Sequence, residues 1–116
     1  VEGERPSAYI VILGDTEIQT LFGVDHGIAA QTMMLGAAER GLGGCIIGSA
    51  RREDLRRELG IPERYQVLLV LALGKPAETV VTESFEPGGD IHYYRDEESV
   101  HHVPKRSLDE LIVHNV

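Results

Sequence analysis

Asp25-His-Gly-Ile-Ala-Ala-Gln-Thr-Met-Met-Leu-Gly-Ala-Ala-Glu-Arg-Gly-Leu-Gly-Gly-Cys-Ile-Ile-Gly48 is the stretch of the chain that decides its fold. Asp25 predicts the N-cap of a helix, because its carboxylate can accept from the free N–H groups of the first turn. Gly41 predicts the helix end, because the residue after the last turn often adopts a left-handed conformation. The residues between them are almost all apolar or small, so we expect a central core helix that is buried on most sides. Its small residues would let a neighbouring backbone, including that of a second subunit, come close.

The apolar run that follows this helix is bounded by glycines at Gly43, Gly44 and Gly48. Glycine in such a place marks a close approach of the backbone, either to another chain segment or to a ligand. Cys45, inside the run, is expected to be a small buried hydrophobe. As the single cysteine it cannot form an internal disulfide, which favours a reducing compartment.

Two strands and a second helix are expected on either side of this core. Ala8–Leu13 is a short run rich in β-branched residues, which predicts a buried strand. Tyr65–Leu73 is continuously apolar, which predicts a central strand covered on both faces. Ser49 predicts the N-cap of a helix over about Arg51–Leu59.

The second helix is expected to have a charged outer face and an apolar inner one. Glu53 lies one turn before Arg57, so we expect ion pairs on a solvated face. Leu55 and Leu59 lie one turn apart and form the predicted buried stripe. The other arginines of this basic segment are Arg51, Arg52 and Arg56.

The last third of the chain predicts a loop, a hairpin and a short helix. Residues 76–90 contain two prolines and a Gly-Gly pair, which predicts a long surface excursion. Ile91–Arg95 and Val100–Val103 flank a polar turn, which predicts a β-hairpin with one of Tyr93 and Tyr94 buried and the other exposed. Ser107 can cap a helix through Leu111. With no internal repeat or composition shift, residues 1–116 are expected to form a single domain.

The charge balance argues against several classes of partner. A net charge of -8 disfavours nucleic acid and anionic membranes, since both attract a positive surface. The sequence contains no signal peptide and no long apolar span, which predicts a cytoplasmic protein. His101 and His102 are adjacent and would point to opposite faces of a strand, so they could not share one metal ion. His92 could face one of them across the hairpin, but no ligand spacing supports a zinc site, and we expect no metal.

The central stretch resembles the FMN-dependent nitroreductase family, whose members have a small-residue helix ending in Gly-Leu-Gly and then an apolar Ile-Gly segment. The resemblance continues through Leu59-Gly-Ile-Pro-Glu63, Leu73-Gly-Lys-Pro76 and Val103-Pro-Lys-Arg106, and covers nearly the whole chain. It implies an α+β fold in which a mainly antiparallel sheet packs against helices. It also implies FMN as the cofactor, NAD(P)H as the electron donor, and nitroaromatic, quinone or similar acceptors.

The resemblance further implies cofactor contacts at Ile47, Gly48, Lys105 and Arg106. Main-chain N–H groups at Ile47 and Gly48 would approach the flavin ring near its reactive nitrogen, and the basic pair would hold the FMN phosphate. From the residues alone, Gly48 is as well explained by a turn that requires glycine, and the basic pair by ordinary solvation. No side chain is a convincing catalytic acid or base, so the flavin itself would perform a ping-pong hydride transfer.

Family members also have an N-terminal segment with an arginine-rich phosphate-binding motif, and nothing before Ala8 matches it. The chain is therefore expected to correspond to roughly the C-terminal two-thirds of a family member. Two hypotheses remain: an FMN-dependent oxidoreductase, or a non-catalytic nitroreductase-like remnant that serves as a dimerisation or small-molecule-binding module. The small-residue helix predicts a homodimer under either hypothesis.

Overall fold

The computed structural model describes residues 5–85 and 88–113. They form an α+β fold with a mainly antiparallel arrangement of strands, as the sequence predicts. The chain divides into two compact units, one ending at Pro76 and the other beginning at Ala77. The expectation of a single domain stays a prediction.

The first unit is a three-stranded antiparallel sheet that carries two helices. Its elements in chain order are β1 (Ala8–Asp15), α1 (Asp25–Glu39), β2 (Gly43–Ile47), α2 (Arg52–Glu58) and β3 (Tyr65–Gly74). The strand order is β1-β3-β2, so β3 is central, as its continuous apolar sequence predicts. Both helices pack against β3, and α1 also contacts β2. The largest fully buried side chains, Leu71 and Val67, both lie on β3.

Strand β1 is present as expected, but it is an edge strand rather than a buried one. It pairs only with β3 among the described residues. Tyr9 is 56% exposed and Leu13 is 39% exposed. A short apolar run does not distinguish a central strand from an edge strand, because the difference depends on which neighbours the tertiary fold supplies.

The two ends of α1 differ in how well the sequence predicts them. At the C-terminal end, Gly41 has a positive φ of 71°, its N–H donates to Ala38 O, and the N–H of Leu42 donates to Ala37 O at 3.0 Å. This Schellman motif confirms the predicted helix end. The predicted N-cap is wrong, because Val24 occupies that position without a side-chain hydrogen bond. Asp25 lies in the first turn, where its charge still complements the helix dipole.

Burial of α1 is much less complete than its composition predicts. Only Ala30 and Ala37 are buried, and they lie seven residues apart on the face that meets the sheet. Ile28 and Leu35 are each 62% exposed. The expectation of a helix buried on most sides is therefore wrong for this chain taken alone, since the sheet covers only one face.

Helix α2 forms close to the predicted range but with different details. Its N-cap is Arg51 rather than Ser49, and no side chain caps it. Ion pairs join residues three apart, Arg56 to Glu53 and Arg57 to Asp54, instead of the expected Glu53 and Arg57. Of the predicted apolar stripe, Leu55 is half-buried whereas Leu59 is 56% exposed.

The glycines at the start of β2 confirm a close backbone approach. A Cβ built on Gly44 would overlap the carbonyl oxygen of Ala72 on β3, and would lie 2.7 Å from Cδ2 of Leu73. Cys45, the next residue, is exposed. The prediction of a buried cysteine is therefore wrong, because β2 is an edge strand of this sheet.

The second unit is a smaller three-stranded sheet followed by one helical turn. Its elements are β4 (Val80–Ser84), β5 (Tyr94–Arg95), β6 (His101–Lys105) and α3 (Leu108–Leu111), with strand order β4-β6-β5. The antiparallel β5–β6 pair confirms the predicted hairpin. Strand β4 falls in residues expected to be a loop, and it pairs with β6 in parallel. Such a pair depends on a partner about twenty residues later, which local turn signals in the sequence do not reveal.

Helix α3 begins with the predicted cap. Ser107 Oγ accepts from the N–H of Glu110, and the Glu110 carboxylate accepts in return from the N–H of Ser107 at 3.0 Å. This capping box satisfies two backbone donors that would otherwise have no partner. In the part of the chain that the structure describes, no helix has the length and apolarity needed to cross a membrane.

Candidate functional site

Ile47 and Gly48 lie at the end of β2, in the first unit. Ile47 is the last residue of the strand and stands opposite Val70 of β3. Gly48 follows outside the sheet and is exposed, whereas Ile47 is half-buried. The segment therefore presents main chain, rather than a functional side chain, at the end of an edge strand.

The surroundings of Gly48 do not explain why it is glycine. Its φ lies outside the left-handed region, and a Cβ built on it would meet no described atom within 4 Å. By contrast, Gly44 is required by the adjacent Ala72 carbonyl and Gly41 by its positive φ. The explanation that a turn requires glycine at this position thus finds no support in the described chain. What the structure does show at Gly48 is a backbone that another molecule can approach without obstruction.

Lys105 and Arg106 lie in the second unit, at the end of β6. Lys105 stands opposite Ser84 of β4, and its carbonyl oxygen accepts from the N–H of Phe85 at 3.0 Å. Both side chains are exposed. Neither forms an ion pair with another residue in the ranges 5–85 and 88–113. The main chain of the pair is therefore held by the sheet while both cationic groups stay available to an anion.

A cavity of about 490 Å³ opens beside β1 in the first unit, and the sequence does not predict it. Its wall combines β1, the loop after it and the first turn of α1, including Ile12, Phe22 and His26. The ring of Phe22 lies over Gly14, where a side chain would collide with it. His26 Nδ1 is buried and has no hydrogen-bond partner among the described residues. The lining of the cavity is largely apolar, as is typical of sites for small molecules.

The histidines of the second unit have separate neighbours, as expected for adjacent residues on a strand. His101 Nδ1 lies 3.4 Å from Glu78, whereas His102 contacts Glu83 and Asp96. His92 pairs with Asp90 at 2.5 Å and not with either histidine across the hairpin. Within the described ranges, no group of three or more histidine, cysteine or acidic side chains has an arrangement that could hold a metal ion.

Tyr93 and Tyr94 do not divide into one buried and one exposed residue as predicted. Tyr93 is 71% exposed and Tyr94 is 50% exposed. Each ring contacts a histidine of β6 instead, Tyr93 that of His101 and Tyr94 that of His102. The pleat separates the two tyrosines as expected, but this small sheet buries neither face completely.

Comparison with known proteins gives a consistent set of relatives. The sequence profile of the nitroreductase family matches residues 6–75, which include Ile47 and Gly48 but not Lys105 and Arg106. A curated NADPH-flavin oxidoreductase of Vibrio harveyi is 41% identical over 63 residues, which are 53% of this chain and 26% of that protein. The solved structure of an FMN-dependent nitroreductase from Clostridium difficile R20291 matches with a TM-score of 0.55 and 32% identity, covering 60% of this chain and 46% of that one. The chain thus spans about a quarter of the curated relative and about half of the solved one.

Proposed function

The chain belongs to the nitroreductase family, and from this premise we propose that it acts as an FMN-dependent oxidoreductase. In this proposal NAD(P)H donates the electrons, and nitroaromatic, quinone or similar compounds accept them. FMN is named for the solved relative, and NADPH and flavin for the curated one, which supports this choice of cofactor and donor. A cytoplasmic location is part of the same proposal.

The observation that carries the proposal is the open approach to Gly48. The open space around Gly48 leaves room for a ligand to pass close to its main chain. The N–H groups of Ile47 and Gly48 would then donate to the ligand, stabilising negative charge that develops on it. When bound, FMN would supply the hydride-transfer chemistry itself.

Lys105 and Arg106 are proposed to hold the phosphate of FMN. Arginine offers a planar fork of donors and lysine a compact charge, and both suit a phosphate group. Neither cation is engaged by an acidic side chain of the described ranges, so binding would not first have to break an ion pair. Their place at the end of β6 gives the backbone of the pair a defined direction.

A titration of FMN and riboflavin tests this role, because the two ligands differ only in the phosphate. Lys105→Ala/Arg106→Ala should lose about tenfold or more in FMN affinity, since a charge-assisted hydrogen bond contributes about 1.5–3 kcal/mol. Riboflavin binding should hardly change. The double variant Arg57→Ala/Lys75→Ala removes the same two charges elsewhere on the exposed surface and should leave both affinities unchanged. Equal binding of FMN and riboflavin to the wild type would contradict the phosphate role.

The second candidate function is a non-catalytic module for dimerisation or small-molecule binding. It is favoured by the exposed apolar face of α1, with Ile28 and Leu35, and by the cavity beside β1. A homodimer is proposed under both candidates, because that face has no cover within the described chain. Purified protein that is colourless and binds no added FMN, yet forms dimers, would favour the module over the enzyme.

A further inference from the structure

His102 is the centre of a cluster that joins every strand of the second unit. It lies on β6, the middle strand, opposite Val81 of β4 on one side and Tyr94 of β5 on the other. Its Nδ1 lies 2.6 Å from Glu83 Oε1, and its Nε2 lies 3.0 Å from Asp96 Oδ2. One imidazole thus connects a carboxylate of β4 with a carboxylate of the β5–β6 turn.

The geometry of these contacts requires a charged ring. An ionised carboxylate only accepts hydrogen bonds, and a neutral imidazole has a single N–H to donate. Both contacts can therefore be hydrogen bonds at the same time only when His102 is an imidazolium. After deprotonation, one of the two carboxylates would face the lone pair of a ring nitrogen.

The neighbours of the cluster favour the same charged form. The ring of Tyr94 stacks on His102 with centroids 4.7 Å apart and an interplanar angle of 2°, and an aromatic face attracts a cation. The Tyr94 hydroxyl lies 3.3 Å from both Glu83 oxygens. Asp96 also accepts from the N–H of Val100 at 2.8 Å, which links the histidine to the turn backbone.

Two further charged side chains, Arg95 and Glu78, lie beside His101 rather than His102, and Glu78 contacts both Arg95 and His101. Arg95 Nη2 lies 2.7 Å from Glu78 Oε2, and that same oxygen lies 3.4 Å from Nδ1 of His101. His102 itself is faced by Glu83 from β4, by Tyr94 from β5 and by Asp96 from the turn. Its side chain is only 17% exposed, so solvent weakens these interactions less than at an open surface.

We propose that His102 acts as a pH-dependent lock. As an imidazolium it is hydrogen-bonded to a carboxylate of β4 and to a carboxylate of the β5–β6 turn, and so holds β4, β5 and this turn on β6. On deprotonation it loses one of these two hydrogen bonds. The residues of the lock all lie in the second unit, within 77–85 and 88–113.

The electrostatics of the cluster give the direction of the pH effect. Hydrogen bonding to Asp96 and then to Glu83 raises the pKa of His102 above its ordinary value of about 6.5. Its contribution to stability is therefore complete below about pH 6.5 and is lost as the pH rises through the raised pKa. The bond to His102, followed by that to the Val100 N–H, lowers the pKa of Asp96. The contribution of Asp96 to stability is complete above its ordinary pKa. It is lost only as the pH falls through the lowered pKa of Asp96.

The first test is an NMR titration of the histidine rings in the full chain. We expect His102 in the wild type to titrate above about pH 6.5. Asp96→Asn and Glu83→Gln should each lower its pKa, because each removes one anion from the ring. A His102 that titrates at or below the ordinary value, or that neither variant affects, would overturn the proposal. This test does not need a histidine variant that folds.

The second test measures whether protonation of His102 keeps strands β4 and β6 paired. The N–H of His101 donates to Thr79 O, and the N–H of Phe85 donates to Lys105 O, so their hydrogen exchange reports opening at both ends of the β4–β6 pair. After correction for intrinsic rates, both amides should lose protection in the wild type as the pH rises from below about 6.5 through the raised pKa of His102. His102→Gln should show lower protection with no such loss, whereas His101→Gln should keep the wild-type pH dependence. Persistence of the full pH dependence in His102→Gln would refute the lock.

Discussion

Gly44 lies directly against Ala72, so that the Cα of one strand faces the carbonyl oxygen of the next with no room for a side chain. The pair joins edge strand β2 to central strand β3, and a Cβ on Gly44 would also lie 2.7 Å from Leu73 Cδ2 and 3.2 Å from Met34 Cε. The glycine therefore sets how closely the edge strand and α1 pack on the centre of the sheet.

Gly44→Ala should destabilise the protein by about 1–3 kcal/mol, because the new methyl group meets backbone that cannot move aside without shifting a strand. Gly48→Ala is the matched control and should stay within about 0.5 kcal/mol of the wild type, since its Cβ would point into open space. Urea denaturation of both variants measures the difference. Equal losses would mean that Gly48 also has a close neighbour.

Ala37→Leu should cost about 1–3 kcal/mol, because Ala37 is only 7% exposed on the face of α1 that meets the sheet. Gly36 is also one of the small residues of α1, but the nearest atom to its Cβ position is Arg40 Nη1 at 3.6 Å. Gly36→Ala should therefore stabilise the helix by about 0.5–1 kcal/mol through the loss of glycine's freedom in the unfolded chain. Thermal melts compare the two. A destabilised Gly36→Ala would indicate contact with a second molecule at that residue.

Arg56→Ala should destabilise more than Arg57→Ala, in contrast to the solvated face that the sequence predicts for both. The Arg56 side chain is only 16% exposed, pairs with Glu53 at 3.2 Å and reaches the carbonyl oxygen of Ile61 at 3.4 Å. Its loss should cost about 1–2 kcal/mol, since packing of the alkyl stem disappears together with the polar contacts. Arg57 is 69% exposed and should cost less than about 0.5 kcal/mol. Chemical denaturation at equal ionic strength measures both, and a larger loss for Arg57→Ala would contradict this assignment.

Leu35→Glu should abolish the proposed homodimer, because it places a charge in the centre of the exposed apolar face of α1. Light scattering should give twice the chain mass of 12.7 kDa for the wild type and the single mass for the variant. Gln66→Glu adds the same charge at an exposed position of β3 and should remain dimeric. A wild type that is monomeric at micromolar concentration would rule out the homodimer.

Features that depend on neighbours in the sequence were predictable from it. The Schellman end of α1 at Gly41, the cap of α3 at Ser107 and the β5–β6 hairpin each consist of hydrogen bonds between residues a few positions apart. The central position of β3 was also predicted, because its apolar run is longer and more continuous than that of β1. The resemblance to the family came from the short motifs along the chain, and the family profile matches residues 6–75.

Features that depend on distant neighbours required the tertiary structure. Only the sheet order shows that Cys45 lies on an edge strand, and only the packing of α2 shows that Arg56 is covered. The parallel β4–β6 strands pair residues 21 positions apart, and Glu83 lies nineteen positions before His102, so no local pattern predicts either contact. The sequence determined which residue types could make these contacts. The path of the folded chain decided three further features: burial, strand order and which carboxylates surround the imidazole of His102. Each of them depends on which distant groups displace water from a given side chain.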